Sequence, residues 1–238
     1  MSAQVNYHIY PCGDHAVTIE FGNRITLAAN QQVVALFQHL QTHPLAGVKD
    51  LIPAYHSLTL VYDVLIIKRQ HPHRSAYEQI SGDLHRVIDR ITQSEEPTHR
   101  LIRIPVCYDA SFGTDLSALA ALHRLSSEEV ISIHCEKTYR VYMIGFLPGF
   151  AYMGIVDQQI ATPRHAIPRK SVAAGSVGIA GEQTGIYPFT SPGGWQIIGR
   201  TPVTLFSPDQ PAPCLLQPGD DVQFYPIDLS TFQNLISA

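Results

Sequence analysis

Gly145-Phe-Leu-Pro-Gly-Phe-Ala-Tyr152, Gly175-Ser-Val-Gly-Ile-Ala-Gly181, Gln183-Thr-Gly-Ile-Tyr-Pro188 and Ser191-Pro-Gly-Gly-Trp195 decide how the second half of this chain folds. The stretch from Gly145 to Gly199 holds ten of the sixteen glycines and only five of the 36 charged residues, so function is sought there. Glycine admits φ > 0 and close backbone approach, and proline fixes φ and removes a donor. Their dense alternation specifies a rigid surface built from loops and short strands. A Gly/Ser linker lacks the interleaved Phe146, Leu147, Phe150, Tyr187 and Trp195, which supply apolar area to fold the segment.

Outward from this stretch, short apolar runs alternate with turn signals at 171–174, 177–179, 195–199, 203–206 and 222–225. That spacing predicts a predominantly antiparallel β-barrel or sandwich. Upstream lie an apolar strand at 101–108, helices near 115–123 and 128–135, and a strand at 139–144. The second helix carries the capping box Ser126-x-x-Glu129.

The first hundred residues predict a small independent α/β unit. Strands at 7–10 and 16–21 flank a Pro11-Cys-Gly-Asp14 turn, and Thr26 caps a helix over 27–42 whose Val33, Leu36, Phe37 and Leu40 recur at helical spacing. Strands follow at 48–55 and 58–64. A Ser75-x-x-Glu78 capping box then opens a helix with Ile80, Leu84, Val87, Ile88 and Ile91 on one face. The order ββαββα implies a small sheet covered by helices on one face. Polar, proline-containing 93–98 is the expected linker, which divides an α+β protein into domains 1–96 and 97–238.

A chain of 238 residues, 45% hydrophobic and with a formal charge of −4, reads as a soluble globular protein. Mild acidity without a basic run argues against nucleic acid and against an anionic membrane surface as partners. Cys12, Cys107, Cys135 and Cys214 form no C-x-x-C pair and are expected to be buried free thiols. The N-terminus has neither the basic start nor the apolar core of a signal peptide, which places the protein in the cytoplasm.

Several chemical engines are absent from the sequence: no phosphate loop, no H-E-x-x-H and no G-x-S-x-G elbow. Gly175, Gly178 and Gly181 are spaced G-x-x-G-x-x-G among strands, so a Rossmann fingerprint is excluded. No metal site is expected: His71 and His73 flank Pro72 in a solvated turn, and His134 packs against the barrel. The remaining polar groups are Arg164, Arg169, Ser176, Gln183, Thr184, Tyr187, Ser191 and Thr201. Arg164 and Arg169 can clamp a carboxylate or phosphate, or merely cap strand-end carbonyls. Gln183 and Thr184 suit an amide or lactam, with turn stabilisation as the alternative. Trp195, the only tryptophan, is a pocket wall, an interface anchor or a plain core residue. With no nucleophile and base in evidence, the catalytic residues are unassigned and the chain alone need not hold a complete active site.

The ordered phrases Pro105-Val-Cys-Tyr108, Gly145 to Tyr152, Thr162-Pro-Arg164, Pro168-Arg169, Ala174-Gly-Ser-Val-Gly178, Gln183 to Pro188, Ser191 to Gln196 and Gly199-Arg-Thr-Pro202 resemble the family of 5-oxoprolinase B subunits. That family is also called the KipI or allophanate-hydrolase-subunit-1 family. The resemblance implies an α/β N-terminal domain and a cyclophilin-like β-barrel. It implies a KipA-like C subunit with a related barrel, an A subunit of another fold, and an ATP-dependent opening of 5-oxo-L-proline to L-glutamate by the three together. ATP with Mg2+ is expected of the assembled enzyme, with no cofactor held tightly by this chain alone. In that frame Arg164 or Arg169 would hold the substrate carboxylate, Gln183 and Thr184 would read the lactam, and Tyr187 and Ser191 would complete the pocket. Phe146, Pro148, Phe150 and Trp195 would form a partner surface or pocket wall. The same resemblance leaves open a non-catalytic inhibitor of a sensor histidine kinase, or one half of a carboxyltransferase-like module related to urea carboxylase. Proline isomerisation rests on fold analogy alone.

Overall fold

The computed structural model describes residues 6–91 and 100–237, so the expected linker at 93–98 lies outside the described residues. The chain divides into two compact units, residues 1–98 and 99–238.

The first unit runs β1 (His8–Pro11), β2 (Ala16–Glu20), α1 (Leu27–Thr42), β3 (Val48–Pro53), β4 (Ser57–Tyr62), α2 (Val64–Gln70) and α3 (Ala76–Ile91). Its antiparallel sheet has the order β1-β2-β4-β3. Thr26 caps α1 by accepting from the Ala29 N–H, and Ser75 and Glu78 exchange capping-box hydrogen bonds at the start of α3. Val33, Leu36 and Leu40 of α1 and Ile80, Leu84 and Ile88 of α3 are buried with Val17, Ile19, Leu58 and Leu60 of the sheet. The strand expected over 58–64 forms as β4, and the unexpected helix α2 begins at its last expected residue, Val64. The Asp63 side chain accepts from the Leu65 and Ile66 N–H groups, and this cap overrides the strand preference of Val64-Leu-Ile-Ile67.

The second unit begins with β5 (Leu101–Cys107), α4 (Leu116–His123), α5 (Ser127–Glu136) and β6 (Thr138–Ile144). It continues through β7 (Ala151–Gly154), β8 (Arg169–Val172), β9 (Ser176–Ala180), β10 (Gln183–Ile186), β11 (Ser191–Gly193), β12 (Gln196–Arg200), β13 (Asp221–Ile227) and α6 (Leu229–Ser237). Seven strands close a barrel in the order β10-β7-β6-β13-β5-β12-β9, and β8 with β11 form a separate two-stranded ribbon. The barrel is antiparallel except at one seam, where β13 runs parallel to β5 with Asp221 opposite Leu101 and Ile227 opposite Cys107. Hydrophobic alternation sets which face is buried but carries no information on the direction of a distant partner. The run at 203–206 is not a strand: only a bridge between Phe206 and Cys214 forms there, and Val203 N–H donates instead to the Thr201 hydroxyl.

Strand alternation splits the second unit's apolar residues into two sets. Val177, Ile179, Ile186 and Ile198 fill the barrel with Tyr139 and Phe224. Phe150, Val172, Ala180, Tyr187, Trp195 and Ile197 form a second cluster on the outer face, where the β8–β11 ribbon covers it. His134 belongs to the interior. It is fully buried, its Nδ1 lies 2.9 Å from the Tyr108 hydroxyl and its Nε2 lies 3.0 Å from the Thr184 hydroxyl. It also stacks on Phe224, with ring centroids 4.7 Å apart. Among the described residues no helix is long and apolar enough to cross a membrane. The four cysteines are free thiols, but only Cys107 is buried; Cys12 is exposed, because it sits in the β1–β2 turn.

Candidate functional site

The outer cluster opens into a cup of about 210 Å³, walled by Phe146, Phe150, Tyr152, Tyr187 and Trp195, with Arg164 at its edge. Phe150 is its pivot. Its ring meets Trp195 at 5.4 Å and 89°, Tyr187 at 5.4 Å and 81°, and Phe146 at 5.6 Å and 86°. These edge-to-face contacts set the negative face of one ring against the positive edge of the next and make the wall stiff.

Glycines in the sequence phrases make this packing possible. A Cβ at Gly185 would lie 3.0 Å from Trp195 and 3.3 Å from Phe150, and one at Gly193 would overlap the Tyr187 phenol. Phe146 takes a glycine-like conformation without being one: it holds φ at +69° while 61% exposed. Bulky residues avoid that region, and the strain holds an aromatic lip over the mouth of the cup.

Arg164 is exposed, and its guanidinium carbon lies 5.7 Å from the centre of the Trp195 ring. It has no carboxylate partner among the described residues, so an ordered cation faces the cup with its donors available. Burial pushes the Tyr187 phenol above its ordinary pKa, against the opposing effects of the Trp195 backbone N–H and of Arg164 and Arg169. Near neutral pH it is a protonated phenol. The lining side chains include no carboxylate, thiol or imidazole, so the cup has the means to bind and orient a ligand but carries no nucleophile or general base of its own.

The structure divides the expected site residues. Arg164, Tyr187, Phe146, Phe150 and Trp195 come together in the cup. Arg169 does not join them: its Nη2 donates to Asp115 Oδ1 and its Nη1 to the Trp195 carbonyl at 3.3 Å, so its charge is already matched. Thr184 is inside the barrel, donating to the Gly178 carbonyl at 3.1 Å and paired with His134. Gln183 and Thr184 are neighbours in β10 and therefore face opposite sides of the wall, so they cannot act as one array. Gln183, Ser191 and Pro148 do not line the cup; Ser191 is buried with its hydroxyl 3.3 Å from the Pro192 carbonyl, and Pro148 is exposed.

Asp115, unremarked in the sequence, ties down the backbone behind Trp195. It is 6% exposed, its Oδ2 accepts from the Ile197 N–H at 2.6 Å, and its own N–H donates to the Ile197 carbonyl at 2.8 Å. Its only sequence signal is a position just before a helical run. Among the described residues no group of three or more His, Cys, Asp or Glu side chains is placed to hold a metal ion.

Residues 7–216 match the family model described as carboxyltransferase domain, subdomain C and D. The chain is 44% identical to the 5-oxoprolinase B subunit of Bacillus subtilis over 92% of both chains. Among solved structures it resembles TTHA0988, with a TM-score of 0.76 and 36% identity over 90% of this chain but only 40% of the longer TTHA0988 chain. It also resembles PH0987 of Pyrococcus horikoshii, with a TM-score of 0.55 and 43% identity over 94% of this chain and all of that one. Matches of that extent, spanning both units and every phrase of the cup, show that the chain belongs to the family of 5-oxoprolinase B subunits within the carboxyltransferase subdomain C and D group.

Proposed function

We propose that this chain is the B subunit of an ATP-dependent 5-oxoprolinase, contributing a substrate-holding cup to an enzyme completed by the A and C subunits. The observation that carries this reading is the identity to a 5-oxoprolinase B subunit over nearly the whole of both chains. The cup supports it chemically. A lactam acid needs an apolar slot for its ring, a cation for its carboxylate and a donor for its carbonyl. The aromatic wall, Arg164 and the neutral Tyr187 phenol are of those three kinds.

The cup does not fit a nucleoside triphosphate with Mg2+: its lining has one cation and no carboxylate. In this reading phosphorylation chemistry and the catalytic groups come from the partner proteins. The exposed Ile167 and Phe146 beside the mouth of the cup offer an apolar rim for a partner to cover. TTHA0988, whose chain extends well beyond the part matched here, is consistent with such a partner. We place the assembly in the cytoplasm, in keeping with four free thiols.

The test is glutamate release from 5-oxoproline and ATP by the three coexpressed proteins, with and without this chain. Loss on omission and recovery on add-back support the reading. Unchanged activity without the chain refutes it.

A further inference from the structure

Arg200, from the phrase Gly199-Arg-Thr-Pro202, plays no part in the cup. It ends β12, and its Nε donates to the Ala174 carbonyl at 2.8 Å. Its guanidinium carbon lies 5.6 Å from the ring centre of Phe112 and 5.9 Å from that of Phe232. Gly175 permits this placement: with φ at +81°, it would carry a Cβ into the Thr201 carbonyl and within 3.4 Å of the Arg200 Cγ. Two aromatic faces and one backbone acceptor therefore fix a guanidinium that has no carboxylate partner among the described residues. An arginine so held has already given up its rotamer freedom and keeps its terminal N–H groups for a ligand.

Arg200 lines a cavity of about 260 Å³, together with Thr114, Arg169, Ser171 and Ser176 and with no carboxylate. The hydroxyls of Thr114, Ser171 and Ser176 have no hydrogen-bond partner among the described residues, although Ser176 is only 5% exposed. Because Asp115 already balances Arg169, Arg200 supplies the net positive charge. We propose that this cavity is a phosphoryl-binding site. A guanidinium fork and three uncommitted hydroxyls match the several oxygens of a phosphoryl group, whereas a carboxylate would leave donors unsatisfied. The phosphoryl group is that of free inorganic phosphate or the terminal one of a nucleotide. The site lies apart from the aromatic cup and does not rest on the 5-oxoprolinase reading.

The test uses the whole chain without partners and reads the thermal unfolding midpoint and the 31P NMR line width at constant ionic strength. Inorganic phosphate and Mg-free ATP are expected to raise the midpoint saturably and to show broadened phosphorus signals, while adenosine and acetate leave the midpoint unchanged. Tighter binding of ATP assigns the nucleotide as the source; equal or tighter binding of phosphate assigns the free ion. Arg200→Gln is expected to weaken phosphate binding by about tenfold or more, with Arg103→Gln as the unaffected control. Should Arg200→Gln fail to fold, the exposed Thr114→Val substitution is expected to weaken binding several-fold. The proposal is overturned if phosphate acts no more strongly than chloride, if acetate binds as well as phosphate, or if neither folded variant alters binding.

Discussion

Asp115 and Arg169, 54 residues apart, meet in a hydrogen-bonded ion pair that links the start of α4 to the ribbon strand β8. The same carboxylate holds the Ile197 N–H, and the same guanidinium holds the Trp195 carbonyl. One half-buried pair thus fixes the backbone on both sides of Gln196, directly behind the cup.

Removing one member strands the other. Asp115→Ala leaves the Ile197 N–H without its acceptor and Arg169 without its counter-charge, and is expected to cost about 2–4 kcal/mol. Asp115→Asn should recover part of this through its carbonyl. Arg169→Gln should cost less than Asp115→Ala, because the arginine side chain is 32% exposed. Urea unfolding of the single and double variants checks this; an additive double-mutant cycle would refute the coupling.

Burial holds the His134 pKa down to about 3. The folded value lies below the unfolded value of about 6.5, so folding prefers the neutral ring. This contribution is complete above about pH 6.5 and is lost as pH falls towards 3, at up to about 1.4 kcal/mol per pH unit from this residue. Stability curves from pH 7 to pH 4.5 should fall less steeply for His134→Leu than for the wild type, even though the variant is less stable at pH 7. Parallel curves would remove the argument.

Trp195 is the only tryptophan and forms a wall of the cup, so its emission reports occupancy directly. Titration with 5-oxoproline should shift or quench that emission saturably. Arg164→Ala should weaken the response by about tenfold, the usual loss for a charge-assisted hydrogen bond to a carboxylate. An unchanged response in Arg164→Ala would exclude it as the carboxylate clamp.

Phe146 separates stability from binding. Phe146→Gly relieves a left-handed backbone costing about 1–2 kcal/mol but removes the edge-to-face contact with Phe150 and the lip of the cup. The variant should melt at or above the wild-type temperature while binding ligand more weakly. A clear loss of stability would show that the ring contact outweighs the strain.

Much of the fold was legible because its signals are local. Helix α1 begins where Thr26 can cap it and the periodic apolar run starts, and both capping boxes form as their spacing requires. Helix α2 was not legible, since a run of Val, Leu and Ile reads equally as strand until Asp63 turns back to cap it. The aromatic members of the site were legible from composition. The pairing of Gln183 with Thr184 as one array was not sound, since period-2 alternation already assigns them to opposite faces.

By itself the sequence determined the capped helices α1, α3 and α5, most of the strands and the Gly/Pro-rich surface, because propensity, capping and alternation act over a few residues. Only the tertiary structure decided the parallel seam of β13 with β5, the capture of Arg169 by Asp115 and the freedom of Arg164 and Arg200. Those outcomes depend on which distant groups arrive within hydrogen-bonding reach. Four arginines of identical chemistry become a structural tie or keep their terminal donors available according to whether a carboxylate has been folded beside them, as Arg100 beside Asp220 also illustrates.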